Sequence, residues 1–330
     1  MGRELEAGKM YRPTDITVDR ISNDVYVVEQ FNHRVSKWIF VNDSFIFNLF
    51  VSWGNNVDGT TGEPGPVSND TDNFLDHPTG ITFDASNEVL YVTDTLHNRI
   101  RVIDPTNPNN GAFIASVGQG GKGDGDFHRP AGIAININTN AQLVVADEFN
   151  HRVVVYDTNG GDPIFNAELV DPSTGGGLRF NRPHGVLFDA DENTFNITDT
   201  YRGIISRYNA STLAFVDQIG SPGTTGTDLF FPGSGERLLG GTISPVFADT
   251  RNNIIKTINN STIANTTVDT NPPVAGTGNG ELYYPESVSA FQKAVTDYVL
   301  AANTLNNRIE IYSNTSEDLT NEDPFNFGSP

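Results

Sequence analysis

His184 and Glu286 are the residues of this 330-residue chain whose types and placement suit proton transfer or metal binding. Each directly follows a proline, Pro183 or Pro285, at a position where other copies of the same phrase carry Thr14, Thr79, Ala131 and Gly233. A histidine and a carboxylate can act as base and acid, or share a cation such as zinc, when their surroundings tune them. Asp15, Tyr201 and Arg202 are candidate neighbours. A second set stands 16 to 18 positions after the prolines: Glu29, Asp94, Asp147, Asp199, Asp249 and Asn303. Such oxygen ligands suit calcium when they converge. They also suit a structural role, since an Asp before a turn accepts the N–H groups just ahead and pairs with a nearby arginine. Repetition in every copy favours the structural role. No catalytic residue or cofactor is assigned; His184 and Glu286, with calcium or zinc, remain as the alternative.

The elements that must position these residues are read from the repeat. Lead prolines Pro13, Pro78, Pro130, Pro183, Pro232 and Pro285 are answered by the partner residues above, which lie 65, 53, 52, 50 and 54 residues apart. In the second copy Ile81–Phe83 alternates apolar and polar as a half-buried strand does, followed by Leu90–Asp94, Arg99–Ile103 and Phe113–Val117. Third strands recur at Arg34–Trp38, Arg152–Tyr156, Ile204–Tyr208, Ile254–Ile258 and Arg308–Tyr312, and a fourth strand at Phe215–Ile219. Four short antiparallel strands repeated six times predict an all-β, six-bladed propeller. The spacing predicts one domain over 1–330, with blades at 8–54, 74–118, 127–171, 180–220, 229–276 and 282–330 and an insertion at 55–73. The C-terminal Phe325–Pro330 echoes a blade ending, so the chain is expected to begin and end with blades. Copy five is irregular: it lacks the arginine after its partner residue and places Pro245 in its second strand.

In this meander the turn leading into the first strand and the turn between strands two and three share a face. Phe31, Leu96, Phe149, Tyr201 and Leu305, with Arg251 in copy five, stand two positions after the partner residues on those turns. Clustered there they would form a docking surface; tucked under the next blade they would be packing. His33 and His151 align with Asn98 and Asn307 and share their structural role, while His77, His97 and His128 read as surface or packing residues. The run Gly118–Gly125 lacks the ending of a phosphate loop and reads as a linker with conformational freedom.

Composition narrows the partners. Forty-one acidic against 20 basic residues give a formal charge of -21, which opposes nucleic acid and anionic lipid. No run is long enough to span a bilayer. The absence of cysteine excludes disulfides, thiolate zinc sites and a cysteine nucleophile. Low lysine, strong acidity and eight Asn-x-Ser/Thr sequons point toward an extracellular or cell-surface protein.

His77-Pro78-Thr79-Gly80-Ile81, Asp94-Thr95-Leu96-His97-Asn98-Arg99-Ile100 and Asp147-Glu148-Phe149-Asn150-His151-Arg152-Val153 resemble NHL repeats, and the similarity runs through nearly the whole chain. The resemblance implies a six-bladed propeller used mostly as a binding platform, with a minority of metal-dependent lyases and lactone hydrolases on similar rings. Those zinc lyases use several channel histidines, whereas this chain offers His184 alone at the matching position. The expectation is a non-enzymatic module that binds protein, glycan or its own copies, including as a homo-oligomer; the alternative is a metal-assisted lyase or hydrolase at the channel mouth.

Overall fold

A computed structural model describes residues 10–41, 44–53, 74–107, 113–139, 141–159, 162–170, 180–225, 227–236, 245–259, 262–265, 281–293, 296–314 and 319–321. The 55–73 insertion and Phe325–Pro330 lie outside them. Blade one contains β1 (Pro13–Asp19), β2 (Asp24–Glu29), β3 (Arg34–Val41) and β4 (Ser44–Trp53). Blade two contains β5 (Ile81–Asp84), β6 (Val89–Asp94), β7 (Arg99–Ile103) and β8 (Phe113–Val117). Blade three contains β9 (Pro130–Ile135), β10 (Gln142–Asp147), β11 (Arg152–Asp157) and β12 (Ile164–Leu169). Blade four contains β13 (Pro183–Asp189), β14 (Thr194–Asp199), β15 (Ile204–Asn209) and β16 (Phe215–Ile219). Blade five contains β17 (Pro232–Glu236), β18 (Val246–Asp249), β19 (Ile254–Asn259) and β20 (Thr262–Asn265). Blade six contains β21 (Pro285–Lys293), β22 (Thr296–Asn303), β23 (Arg308–Asn314) and β24 (Leu319–Asn321).

Each blade is an antiparallel sheet of four consecutive strands. The first strands touch in order around the channel, and β21 closes onto β1. Pro245 precedes β18 rather than lying within it, and accepts the Ile258 N–H at 2.9 Å through its carbonyl. This corrects the placement expected from sequence: proline cannot donate to the ladder, so the strand starts one residue later and is short.

The strand alternation also means something different from the core-against-solvent pattern expected. In β6, Leu90 and Val92 pack toward blade one while Val89 and Tyr91 pack toward blade three. Both faces of an inner strand are therefore buried, each against a different neighbour. Alternating exposure appears on outer strands such as β8. Asn196, one of the sequons, lies buried within β14 and is closed to a glycan in the folded chain.

Candidate functional site at the channel mouth

Proline can start a strand because that position spares a ladder N–H. In five blades the first strand begins at the lead proline and a register shift follows at once, as between Pro183 and Val186 and between Pro285 and Ser287. A bulge re-aims the side chain it carries. It is this irregularity that presents His184 and Glu286 at the mouth of the channel. Two positions after the lead proline the backbone is tight: a Cβ on Gly132 would collide with the His184 carbonyl of the next blade.

The partner residues are structural fixtures. Asp94, Asp147, Asp199, Asp249 and Asn303 each accept, through Oδ1, the N–H of the residue two before the lead proline, at 2.6 to 3.0 Å. These donors come from the lead-in turn, some 18 residues earlier, and not from the turn just ahead. The Asp147 carboxylate also takes Arg152 Nε at 2.8 Å, as Asp94 takes Arg99. Blade five supplies Lys256 to Asp249 in place of the missing arginine, at 2.7 Å. In blade six Asn303 is neutral, and Arg308 pairs instead with Glu310. Arg152 reaches further, donating to the carbonyls of Gly123 at 2.9 Å and Asp126 at 2.8 Å. The glycine-rich linker is thus pinned, contrary to the freedom expected of it.

The His/Asn position has an equally uniform role. Asn98 Oδ1 accepts the Arg129 N–H at 2.8 Å, Asn307 the Arg12 N–H at 2.8 Å and Asn253 the Tyr284 N–H at 2.7 Å; His33 and His151 do the same for His77 and Arg182 through Nδ1, at 3.2 Å. Each acceptor and each recipient adopts left-handed φ, between 48° and 59°. Non-glycine residues rarely do so without compensation, and here an inter-blade hydrogen bond provides it. His33, Asp76 and His77 form the one group with metal-ligand spacing among the described residues. His33 Nδ1 already accepts the His77 N–H, and Asp76 Oδ1 lies 2.6 Å from His77 Nδ1, so hydrogen bonds account for the cluster.

His184 and Glu286 line one cavity of about 450 Å³ at the mouth, together with Leu96, Phe149 and Tyr201. The direct partner of each was not foreseen. His184 Nδ1 lies 3.5 Å from Glu148 Oε2, and Arg182 holds Glu148 Oε1 through Nε and Nη2 at 2.9 and 2.7 Å. Glu286 Oε1 is met by Arg12 Nη2 at 3.3 Å. Glu148 occupies a position that holds Thr95, Thr200, Thr250 and Thr304 in four other blades, where Thr95, Thr200 and Thr304 bond the next lead-proline carbonyl. That departure from threonine was the available sequence signal.

Burial opposes a charge on His184, but the hydrogen bond and charge of Glu148, with Glu286 and Asp15 beyond it, hold the imidazole pKa above its usual range. Burial likewise raises Glu286, only partly countered by His184 and Arg12. Glu148 is pulled below the usual carboxylate range, since His184 and Arg182 outweigh its burial. Of the expected neighbours, Tyr201 lines the cavity and Arg202 pairs with Asp199 at 3.3 Å. Asp15 lies buried at the junction of three blades, accepting Ser287 Oγ at 2.5 Å, the Ile16 N–H at 2.9 Å and the Ile81 N–H at 2.8 Å. A divalent cation would need Glu148 and Glu286, and both are held by guanidinium groups that repel it. The donor set fits a metal poorly.

Aromatic rings and arginines alternate along the rim. The Phe149 ring lies 4.0 Å from the Arg182 guanidinium carbon and 4.8 Å from that of Arg129. Tyr201 meets Phe231 at 4.8 Å between centroids, and Arg251 sits 3.7 Å from the Phe231 centroid. Phe31 packs edge-on against Tyr11 and His77. Leu305 is exposed and lies outside the cavity lining. The five residues proposed from sequence as a binding set therefore divide: Leu96, Phe149 and Tyr201 face the cavity, while Phe31 packs beside it.

Residues 73–174 match the model of a family described as a 6-bladed β-propeller. NHL repeat-containing protein 2 of Gallus gallus is 36% identical over 108 residues, covering 29% of this chain and 14% of that protein. The match spans a small part of that relative's length. Among solved structures, an auxiliary nutrient binding protein from Bacteroides thetaiotaomicron has a TM-score of 0.62 at 12% identity, covering 93% of this chain and 70% of the other. A catalytically inactive virginiamycin B lyase from Staphylococcus aureus, with quinupristin, has a TM-score of 0.58 at 15% identity, covering 98% and 88%. At such identities these two likenesses show the fold alone. Together the sequence matches support an NHL-type propeller family.

Proposed function

We propose that this NHL-type propeller is a non-enzymatic binding module that seats a peptide segment of a partner protein across the channel mouth. The fold itself supports a binding or scaffold role. The observation that carries the peptide reading is the half-exposed rim of Phe149, Tyr201, Phe231 and Tyr284 around the 450 Å³ cavity. Partly exposed aromatic side chains beside a concave site are the usual anchors of protein recognition. Selection of displayed random peptides on the immobilised chain tests it. Recovered peptides should bind at least about tenfold more weakly to a Phe149→Ala/Tyr201→Ala variant; peptides indifferent to both changes would refute the site. The proposal extends to an exported protein, whose glycan or self-contacts would be read by sugar-array binding and concentration-dependent sedimentation.

A second reading, a metal-assisted lyase or hydrolase, draws on the opposed environments of His184, Glu148 and Glu286 and requires that Arg182 and Arg12 release the two carboxylates to the ion. Stoichiometric zinc by elemental analysis, with turnover abolished in His184→Ala, would establish it in place of the first.

A further inference from the structure

The rim inverts the sign of the molecule. The chain carries a formal charge of -21, yet the cavity is lined by Arg12, Arg129 and Arg182 against two carboxylates, Glu148 and Glu286. Those carboxylates are already engaged, by Arg182 and Arg12 respectively. Arg129 has no ion-pair partner among the described residues and is exposed, with its guanidinium over the Phe149 ring. Arg251 is placed in the same way over Phe231 at the edge of the rim. Stacking on a ring leaves the guanidinium edge, with its forked donors, free for a carboxylate.

Resting on the peptide reading above, we propose that the seated segment is acidic, and that Arg129 is the specificity-determining residue that receives its carboxylate. The aromatic rings flanking Arg129 and Arg251 favour a segment in which acidic and apolar residues are mixed. Nucleic acid offers anions too, but a long polyanion must also cross the acidic remainder of the surface, whereas a short peptide meets only the rim.

The experiment uses the peptides recovered on the intact chain. They should be enriched in Asp and Glu over the starting library, and Arg129→Ala should weaken their binding at least tenfold. Arg129→Lys should recover only part of this, because an ammonium cannot form the fork. Unchanged thermal unfolding of both variants would show the fold intact. Amidated and free-acid versions of the best peptide separate a side-chain carboxylate from a terminal one as the group bound. Recovered peptides that lack acidic enrichment, or that bind Arg129→Ala undiminished, would overturn the acidic assignment while leaving the peptide reading standing. Recovery of no peptide above bare matrix would overturn both. A single-stranded oligodeoxythymidine that binds the rim more tightly than the best peptide would assign the face to nucleic acid instead.

Discussion

At His184 two physical effects compete and the local carboxylate wins. Burial disfavours the imidazolium, while Glu148 supplies a hydrogen bond and a charge that more than offset it. Because the folded pKa is raised, protonated His184 stabilises the fold fully below its unfolded value of about 6.5, and the contribution is lost as pH rises through the folded value. Replacing Glu148 by Gln removes the main raising cause and leaves the burial. The His184 imidazole, followed by NMR titration, should then ionise at lower pH than in the parent chain; an unchanged titration would show that Glu148 is not its partner. A different balance holds at Asp147, which is fully buried and bonded to Arg152. Its removal leaves Arg152 its linker carbonyls and Glu168 but takes the acceptor from the His128 N–H and the Asn150 amide, so Asp147→Ala should cost about 1–3 kcal/mol in urea unfolding. Glu286→Gln should change stability little, because burial already penalises the charged form.

At the scale of elements, the first strands approach one another too closely for side chains at selected positions. Gly132→Ala places a Cβ against the His184 carbonyl and should destabilise by about 1–3 kcal/mol. Gly120→Ala meets only ordinary contacts with Asn98, at 3.6 Å or more, and should be nearly neutral. A comparison of their denaturation midpoints separates crowding at the channel from a general intolerance of change. Blade order, strand type and the lead-proline turn were legible in the sequence because each depends on local residue preference. The bulge after the lead proline was not, since a register shift depends on which residues face one another across β13 and β14 or β21 and β22. For the same reason the role of Glu148 is not legible in the sequence: its identity is visible, but its partners His184 and Arg182 belong to the next blade.

The whole molecule is closed by side-chain bonds between its sixth and first blades. Thr304 Oγ1 donates to the Pro13 carbonyl at 2.7 Å, Asn307 accepts the Arg12 N–H, and Asp15 ties Ser287 to Ile81. A closed ring couples each blade to two neighbours, so loss of one exposes two interfaces. Both tryptophans, Trp38 and Trp53, lie in blade one, whereas backbone circular dichroism reports all six. The two urea transitions should coincide; an earlier fluorescence transition would mean that blade one detaches separately. What the sequence determined alone was the sixfold β-repeat, the likeness to NHL repeats and the shared face of the two turns, all carried by residues near one another in the chain. Only the tertiary structure decided that Glu148 joins Arg182 and His184, that Arg12 holds Glu286 and that an acidic chain presents arginines at its mouth, because those pairings cross between blades, 34 residues apart for Arg182 and Glu148 and 274 for Arg12 and Glu286.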